Sequence, residues 1–328
     1  MSNLPLYPVA GRDYPRTWRQ LLDWFPDEGA CLKFLERLRW RQGFVCPRCG
    51  QSGEPYQASR MRLMCRSCGH QCTVTAGTVF EKTRTPLRSW FAAVWYVTNQ
   101  KHGVSALGLQ RALGLGGYQT AWTMLHRLRR AMVRPARERL SGVVEVDETY
   151  VGGRVRRKRG HVPLAEVEAK MPDETKSIVA IAVEVHEPKG YGRVRLRRVG
   201  DAAERSLLPF VQESIEPDSL VRTDGSFAYH SLSEHGYRRH KIVHLGSDHA
   251  AHVTMPGVHR IASLLKRWLL GTHQGSVQPQ QLDYYLDEYT FRFNRRTSRS
   301  RGLLFYRLLE QATVTGPVTY GEVVAPKE

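Results

Sequence analysis

A chain of 328 residues with 41% hydrophobic content is long enough for two or three buried cores and too apolar for disorder to be the default. Its 49 lysines and arginines against 31 acidic residues leave a formal charge of +18, an electrostatic footprint for a polyanion, because neutralised phosphates release counterions. The start Met1-Ser2-Asn3-Leu4-Pro5 lacks the pattern of a signal peptide, and the apolar stretch around Trp90 to Val97 is under half of a membrane span of about 20 residues, so the expectation is a soluble intracellular protein with no membrane partner.

Residues 1–42 read as a helical segment. Leu21, Leu22, Trp24 and Phe25, then Ala30, Leu32, Phe34, Leu35, Leu38 and Trp40, recur at helical spacing across a break at Pro26. Residues 43–82 change character, with short runs, turn-forming Gly50 and Gly69, and alternating Thr and Val. Two Cys-x2-Cys-Gly knuckles, Cys46-Pro-Arg-Cys49-Gly50 and Cys65-Arg-Ser-Cys68-Gly69, stand 15 residues apart. Each knuckle sets two thiolates on a tight turn whose Gly permits φ > 0, and two of them close a tetrahedral structural Zn²⁺ site with no open position. Five of the six cysteines lie between Cys46 and Cys72, which is metal-site spacing and not a disulfide framework. His70 and Cys72 are rival ligands, and Cys31 lies on an apolar helix face. Arg48, Arg62 and Arg66, interleaved with Tyr56 and Gln71, make a ribbon that can grip DNA, with a solvated basic face as the plainer reading.

Residues 83–138 return to helices. His102 to Met132 has the build of a helix-turn-helix: Ser105 as N-cap, Leu107, Leu109 and Leu113 as an apolar face, and Gly114 to Gly117 as the turn. Gln119, Thr120, Thr123 and Arg127 then face a DNA groove; a plain helical hairpin has the same pattern.

From residue 139 the chain alternates strands and helices, an α/β plan. Val143–Val151, Ser177–Val185 and Arg193–Val199 read as strands, 202–215 as a helix, and Ser219–Gly225 as a short strand. Lys241–Leu245 is a further strand; Val258–Leu270 and Gln280–Arg295 are helices; the tail 313–328 is expected to be loosely ordered. Asp147 lies within an otherwise apolar strand, and Asp224 closes a later one before Gly225. A carboxylate there is costly unless it is paired or binds a metal. One such Asp is often a turn or capping residue; two at corresponding strand positions point to a metal site. Glu145 shares the face of Asp147 and is a weaker candidate.

The stretches FVCPRCG, TAGTVFEKTRTPLRSW, VVEVDETYVGG, RTDGS, VHRIASLLKRWLLGT and LDEYTFRFNRR together resemble the bacterial insertion-sequence transposases of the DDE superfamily, in the group with an N-terminal zinc ribbon. The resemblance runs from the N-terminal helices to about Tyr306. It implies a multidomain α+β chain whose last part, 139–312, is an RNase H-like α/β domain with a mixed sheet. It also implies three positions holding catalytic Mg²⁺ or Mn²⁺, with a Lys further along the third helix. Asp147 matches the first position, Asp224 the second and Lys266 the Lys. Seven residues before Lys266 the family's Glu is replaced by His259, so the triad resembles a DDH variant. An imidazole brings no negative charge, and hard Mg²⁺ prefers oxygen, so Mn²⁺ is a candidate and Asp248 or Glu288 alternative helpers. Asp287 and Glu288 otherwise pair with Arg292 and Arg295.

The function so implied is two-metal-ion cleavage and strand transfer of double-stranded DNA, at the element's terminal inverted repeats and at the target. A homodimer or larger synaptic complex, cytoplasmic and nucleoid-associated, follows from the need to bring two ends together. Arg154, Arg156, Arg157 and Lys158 in one loop, with Lys266, Arg267, Arg295 and Arg296, are the other candidate DNA contacts; the loop is alternatively a solvated charge run. Two rivals remain: a DNA-binding regulator or inactivated transposase, which predicts no metal-dependent cleavage, and an RNase H-like nuclease or resolvase, which cuts without joining.

Overall fold

The computed structural model describes residues 7–134, 137–152, 176–186, 188, 190–242, 254–275 and 277–324. Two compact units form, one from Met1–Arg134 with Ser298–Glu328, the other from Pro135–Thr297. The expected segments 1–42 and 43–82, and 83–138 as far as Arg134, fall in the first of these units together with the end of the chain. Residues 298–312, expected with the last domain, belong to the first compact unit.

The first unit opens with α1 (Trp18–Trp24) and α2 (Glu28–Arg39), started by side-chain caps from Thr17 and Asp27. The ribbon strands β1 (Tyr56–Ala58), β2 (Arg62–Met64) and β3 (Gln71–Cys72) pair antiparallel in that order. Helices α3 (Leu87–Asn99), α4 (Ala106–Leu113) and α5 (Tyr118–Arg130) follow. Ser105 caps α4 through the amide of Gly108 at 3.0 Å, and Gly114 ends it at φ 62°, the left-handed turn that a glycine takes without a Cβ penalty.

The chain closes this unit with α9 (Arg301–Val314) and α10 (Tyr320–Val324). Phe305 of α9 sits 6.1 Å from Phe25, 5.8 Å from Phe91 and 5.6 Å from Trp95, ring centre to ring centre. Such pairs each add about 0.5–1.5 kcal/mol beyond their burial, which explains why α9 belongs here. The tail expected to be loose is ordered through residue 324: Val318 and Val323 are buried, and the Tyr320 hydroxyl accepts from Gln119 at 2.9 Å.

Gly302 lets α9 approach this closely. A Cβ on Gly302 would lie 1.9 Å from the Pro15 carbonyl oxygen and 2.8 Å from the Tyr14 ring, and a carbonyl held by backbone cannot swing aside. Gly302→Ala is therefore expected to cost more than about 2 kcal/mol, at the upper end of overpacking. Thermal unfolding reads this out; an unchanged midpoint would refute the packing argument.

The second unit is a five-stranded mixed sheet. β4 (Val143–Gly152), β5 (Lys176–Val185) and β6 (Tyr191–Val199) form an antiparallel meander; β7 (Leu220–Thr223) and β8 (Arg238–Lys241) add in parallel on the other side of β4. The order is β6-β5-β4-β7-β8, and the sheet is mixed, as expected. The strand expected at Lys241–Leu245 thus pairs earlier, over Arg238–Lys241, and residues 243–245 lie outside the described residues.

Alternation along the strands gives the sheet two apolar faces. Val144, Val146, Ala180 and Ala182 pack under Leu207, Phe210 and Val211 of α6 (Glu204–Ser214) and under Tyr229 and Leu232 of a 3₁₀ turn. Val151, Val179, Ile181 and Val183 face Val258, Ile261 and Leu265 of α7 (Pro256–His273), and Leu282, Leu286 and Tyr289 of α8 (Leu282–Asn294). Asn294 fastens the end of α8 to strand β6. Its Oδ1 accepts from the Val194 amide at 2.7 Å and its Nδ2 donates to the Val194 carbonyl at 3.1 Å.

Candidate active site and zinc centre

The parallel pairing of β4 with β7 runs from Val143 opposite Leu220 to Glu145 opposite Arg222. Carried on by two residues, that register sets Asp147 beside Asp224, the residue just past the end of β7. The backbone of this corner is clamped. Arg239 donates to the carbonyls of Asp224 and Ser226 at 3.2 Å each and to the Thr223 hydroxyl at 3.1 Å. The Asp224 Oδ1 accepts from the Ser226 amide at 3.0 Å.

Burial holds the Asp147 carboxyl up at about 7, and the negative charges of Glu148, Asp224 and Glu145 push the same way, against one hydrogen bond from the Glu148 amide. Burial raises Glu148 too, with the Asp224 charge adding to it and the Tyr229 hydroxyl, which donates to its Oε2 at 2.7 Å, opposing. Tyr229 is itself buried. Four carboxylates thus crowd one region, with Arg222 acting on Glu145 and Arg239 on Asp224 as the cations beside them.

Glu145 is fully buried on β4, and its Oε2 accepts from the amides of Gly257 at 2.7 Å and Val258 at 3.0 Å. Those amides open α7, whose N-cap position, Met255, offers no side-chain cap. His259 follows Val258 on the same helix and is partly buried; Lys266, nearly two turns further, is exposed. With Tyr150, Lys176, Leu270 and Val277, Lys266 lines a cleft of about 420 Å³. Arg267 is exposed beside it. Glu288 is buried against Arg292 at 2.7 Å, the ion pair expected of it. Asp248 lies outside the described residues.

The four knuckle cysteines converge. Their ligand atoms all lie within 4.8 Å of one another, with Cys46–Cys68 and Cys49–Cys65 sulfur pairs at 3.7 Å. That is far beyond a disulfide bond of about 2.05 Å. It matches the edge of about 3.8 Å expected for a tetrahedron with Zn–S bonds of about 2.3 Å. Gly50 and Gly69 have φ of 72° and 68°, as the knuckle turns require. The Cys68 amide holds the Cys65 thiol down at about 6, which suits a thiolate donor. Cys72 and Cys31 are buried outside this group, and His70 is not among the four either. The residues fit zinc.

The candidate DNA contacts divide. Arg48 is exposed, as is Arg66, whose guanidinium lies 4.5 Å from the Tyr56 ring centre. Gln119 and Thr120 are exposed and Thr123 partly so at the start of α5. Arg127 is half-buried. Its Nε donates to the Val318 carbonyl at 2.9 Å and its Nη1 to the carbonyls of Val79 and Glu81, so it braces loops inside the unit. Arg296 likewise donates to the carbonyls of Tyr191, Gly192 and Phe293, and Arg295 stacks 4.2 Å from the Phe291 ring centre. Arg154, Arg156, Arg157 and Lys158 lie outside the described residues. Among the described residues no helix is long and apolar enough to cross a membrane.

The sequence reading missed Tyr229 as a partner of Glu148 and left Glu145 as a minor candidate. The only signal for Tyr229 was its place five residues after Asp224; nothing in the sequence ties Glu145 to a helix more than a hundred residues away.

Residues 26–71 match the family described as transposase zinc-ribbon domain, and residues 139–294 match the ISXO2-like transposase domain. Among curated relatives, an "uncharacterized protein in transposable element ISH50" of Halobacterium salinarum is 29% identical over 286 residues, covering 85% of this chain and 94% of the relative. The family matches take in the four cysteines, the strand with Asp147, the corner at Asp224 and the helix with His259 and Lys266. With ribbon and transposase domain matched separately and a relative aligned across nearly its whole length, the chain belongs to the insertion-sequence transposases of the DDE superfamily, in the group that carries a zinc ribbon.

Proposed function

We propose that this transposase cuts DNA at the ends of its element and joins the freed ends to target DNA, using a DDH site of Asp147, Asp224 and His259 that holds two Mg²⁺ or Mn²⁺ ions. The observation that carries the reading is the β4–β7 register, which sets two carboxylates side by side in a region already overloaded with negative charge. Divalent ions bound there supply charge neutralisation, an activated water and a stabilised leaving oxygen.

The residues do the rest by position. Asp147 and Asp224 sit on clamped backbone and hold their oxygens still, so little reorganisation accompanies reaction. His259 completes the donor set with nitrogen and adds no charge, which inclines the site toward Mn²⁺. Lys266, exposed at the cleft with Lys176, contacts a phosphate near the cleaved end. In the first step water attacks the phosphodiester and the 3′ oxygen leaves as a hydroxyl. In the second that 3′-OH attacks a target phosphodiester, expelling another 3′ oxygen. The ribbon arginines Arg48 and Arg66 and the exposed start of α5 hold the duplex, and two copies or more of the chain bring both ends together.

Labelled DNA carrying the element's own ends tests this, with Mg²⁺ and Mn²⁺ compared. The wild type is expected to yield joined products, more with Mn²⁺, and Asp224→Ala and His259→Ala to lose them while still binding the ends. Joining that survives His259→Ala removes His259 from the site. Tight end binding without cleavage under either metal points to a regulator or an inactivated transposase; cleavage without joining points to a nuclease or resolvase.

A further inference from the structure

We infer that Glu145 is a positioning residue, which fixes His259 relative to Asp147 by capping the helix that carries His259. The inference rests on the metal-site reading above and names a device within it. Glu145 and Asp147 share a face of β4 two residues apart, so about 7 Å of stiff strand separates them. From there the Glu145 carboxylate reaches the amides of Gly257 and Val258 at 2.7 and 3.0 Å. His259 is the next residue. One rigid path, strand to carboxylate to first helical turn, thus links the first and third members of the candidate triad.

Three features make the link specific. The N-cap residue, Met255, makes no side-chain cap, and Pro256 has no amide to donate. Gly257 makes room, because a Cβ there would sit 2.7 Å from the Glu145 Oε2 and 3.0 Å from a Val183 methyl. Glu145 is fully buried, and among the described residues its second oxygen, Oε1, has no hydrogen-bond partner; Arg222, opposite it on β7, acts through its charge, so the directional contacts of this carboxylate are the two to α7. A carboxylate at a helix N-terminus is also favoured by the helix dipole.

The first unit uses the same device without any nearby site: Glu28 on α2 accepts from the amides of Leu87 and Arg88 at 2.8 and 3.0 Å, where α3 begins after Pro86. Stability alone therefore cannot establish the role of Glu145. The test must read His259.

The full-length, zinc-loaded chain is titrated with Mn²⁺ alone and the bound ion followed by electron paramagnetic resonance, with circular dichroism as the check on folding. Glu145→Gln keeps an acceptor at the same reach; Glu145→Asp keeps the charge but draws the oxygen back. Glu145→Gln is expected to bind Mn²⁺ within about threefold of wild type, and Glu145→Asp at least about tenfold more weakly, the scale of losses when a ligand's support is removed. In a His259→Ala background the Glu145→Asp loss should disappear, because the two changes act through one ligand. A full loss persisting in that background overturns the inference, as does wild-type affinity in Glu145→Asp. A wild type that binds no Mn²⁺ overturns the metal-site reading itself and takes this role with it.

Discussion

Asp147→Asn is expected to abolish strand cleavage and, in the same protein, to raise the unfolding midpoint of the metal-free chain at pH 8. The two effects share one cause. Burial and three neighbouring carboxylates hold the Asp147 carboxyl at about 7 instead of its ordinary 3.8. Between roughly pH 4 and 7 the native state keeps a proton that the unfolded chain has lost. Native stability therefore falls as pH rises through that window and stays lower above it. At about 1.4 kcal/mol per unit, less what neighbouring groups recover by relaxing, the cost at pH 8 is on the order of 2–4 kcal/mol. An amide in the same place carries no such cost.

Catalysis moves the other way. Asn offers a neutral oxygen where the site needs an anion, so cleavage should fall by roughly 10³ or more, the scale on which a transition-state charge partner is lost. Calorimetry of the metal-free protein at pH 8 and near pH 4 reads the first effect, which should vanish at the lower pH because both forms are then uncharged. Adding Mn²⁺ should reverse the ranking, by stabilising the wild type and leaving the variant where it was. If Asp147→Asn melted below the wild type at pH 8 without metal, the crowded carboxylates would not be the source of strain, and the argument for a cation there would lose its main support.

What the sequence made legible follows from how local the signal was. The knuckle cysteines could be read because ligand type, glycine and spacing all lie within a few residues, and their sulfurs converge. The β4, β5 and β6 strands appeared because alternation reports burial directly, and Asp147 stood out against it. The closing helix α9 escaped, since its partners Phe25, Phe34 and Phe91 are about 200 residues or more upstream, and no local pattern announces a return to the N-terminal core. The tail was misjudged for the same reason. The internal hydrogen bonds of Arg127 and Arg296 were not legible, because a cationic side chain looks the same in sequence whether or not it also holds a neighbour's carbonyl. The cap from Glu145 to α7 was hidden more deeply. Alternation put Glu145 on the correct face, but a carboxylate and an uncapped helix start 112 residues apart carry no shared signature.

Removing zinc is expected to unfold the ribbon and leave the second unit able to bind Mn²⁺. The ribbon has strands of three, three and two residues, too short to be stable unaided. Across residues 43–75 few side chains are buried beyond Phe44, Leu63 and Val74 and the cysteines Cys46, Cys65 and Cys72, so its core cannot replace the ion. A structural zinc supplies roughly 10–16 kcal/mol to such a site. Cys65→Ser, or a strong chelator, should reduce zinc from one per chain to none and open residues 43–75 to limited proteolysis. Affinity for the element ends should fall by at least about tenfold with the loss of Arg48 and Arg66 from a fixed surface, since each lost phosphate contact also lowers the salt dependence of binding. Mn²⁺ binding should persist, because Asp147, Asp224 and His259 belong to the other compact unit, which has its own two-sided core. A zinc-free ribbon that still resists protease would show that its fold does not need the ion. End binding that survives with the ribbon unfolded would move the reading of the ends to the exposed start of α5, where Gln119, Thr120 and Thr123 lie.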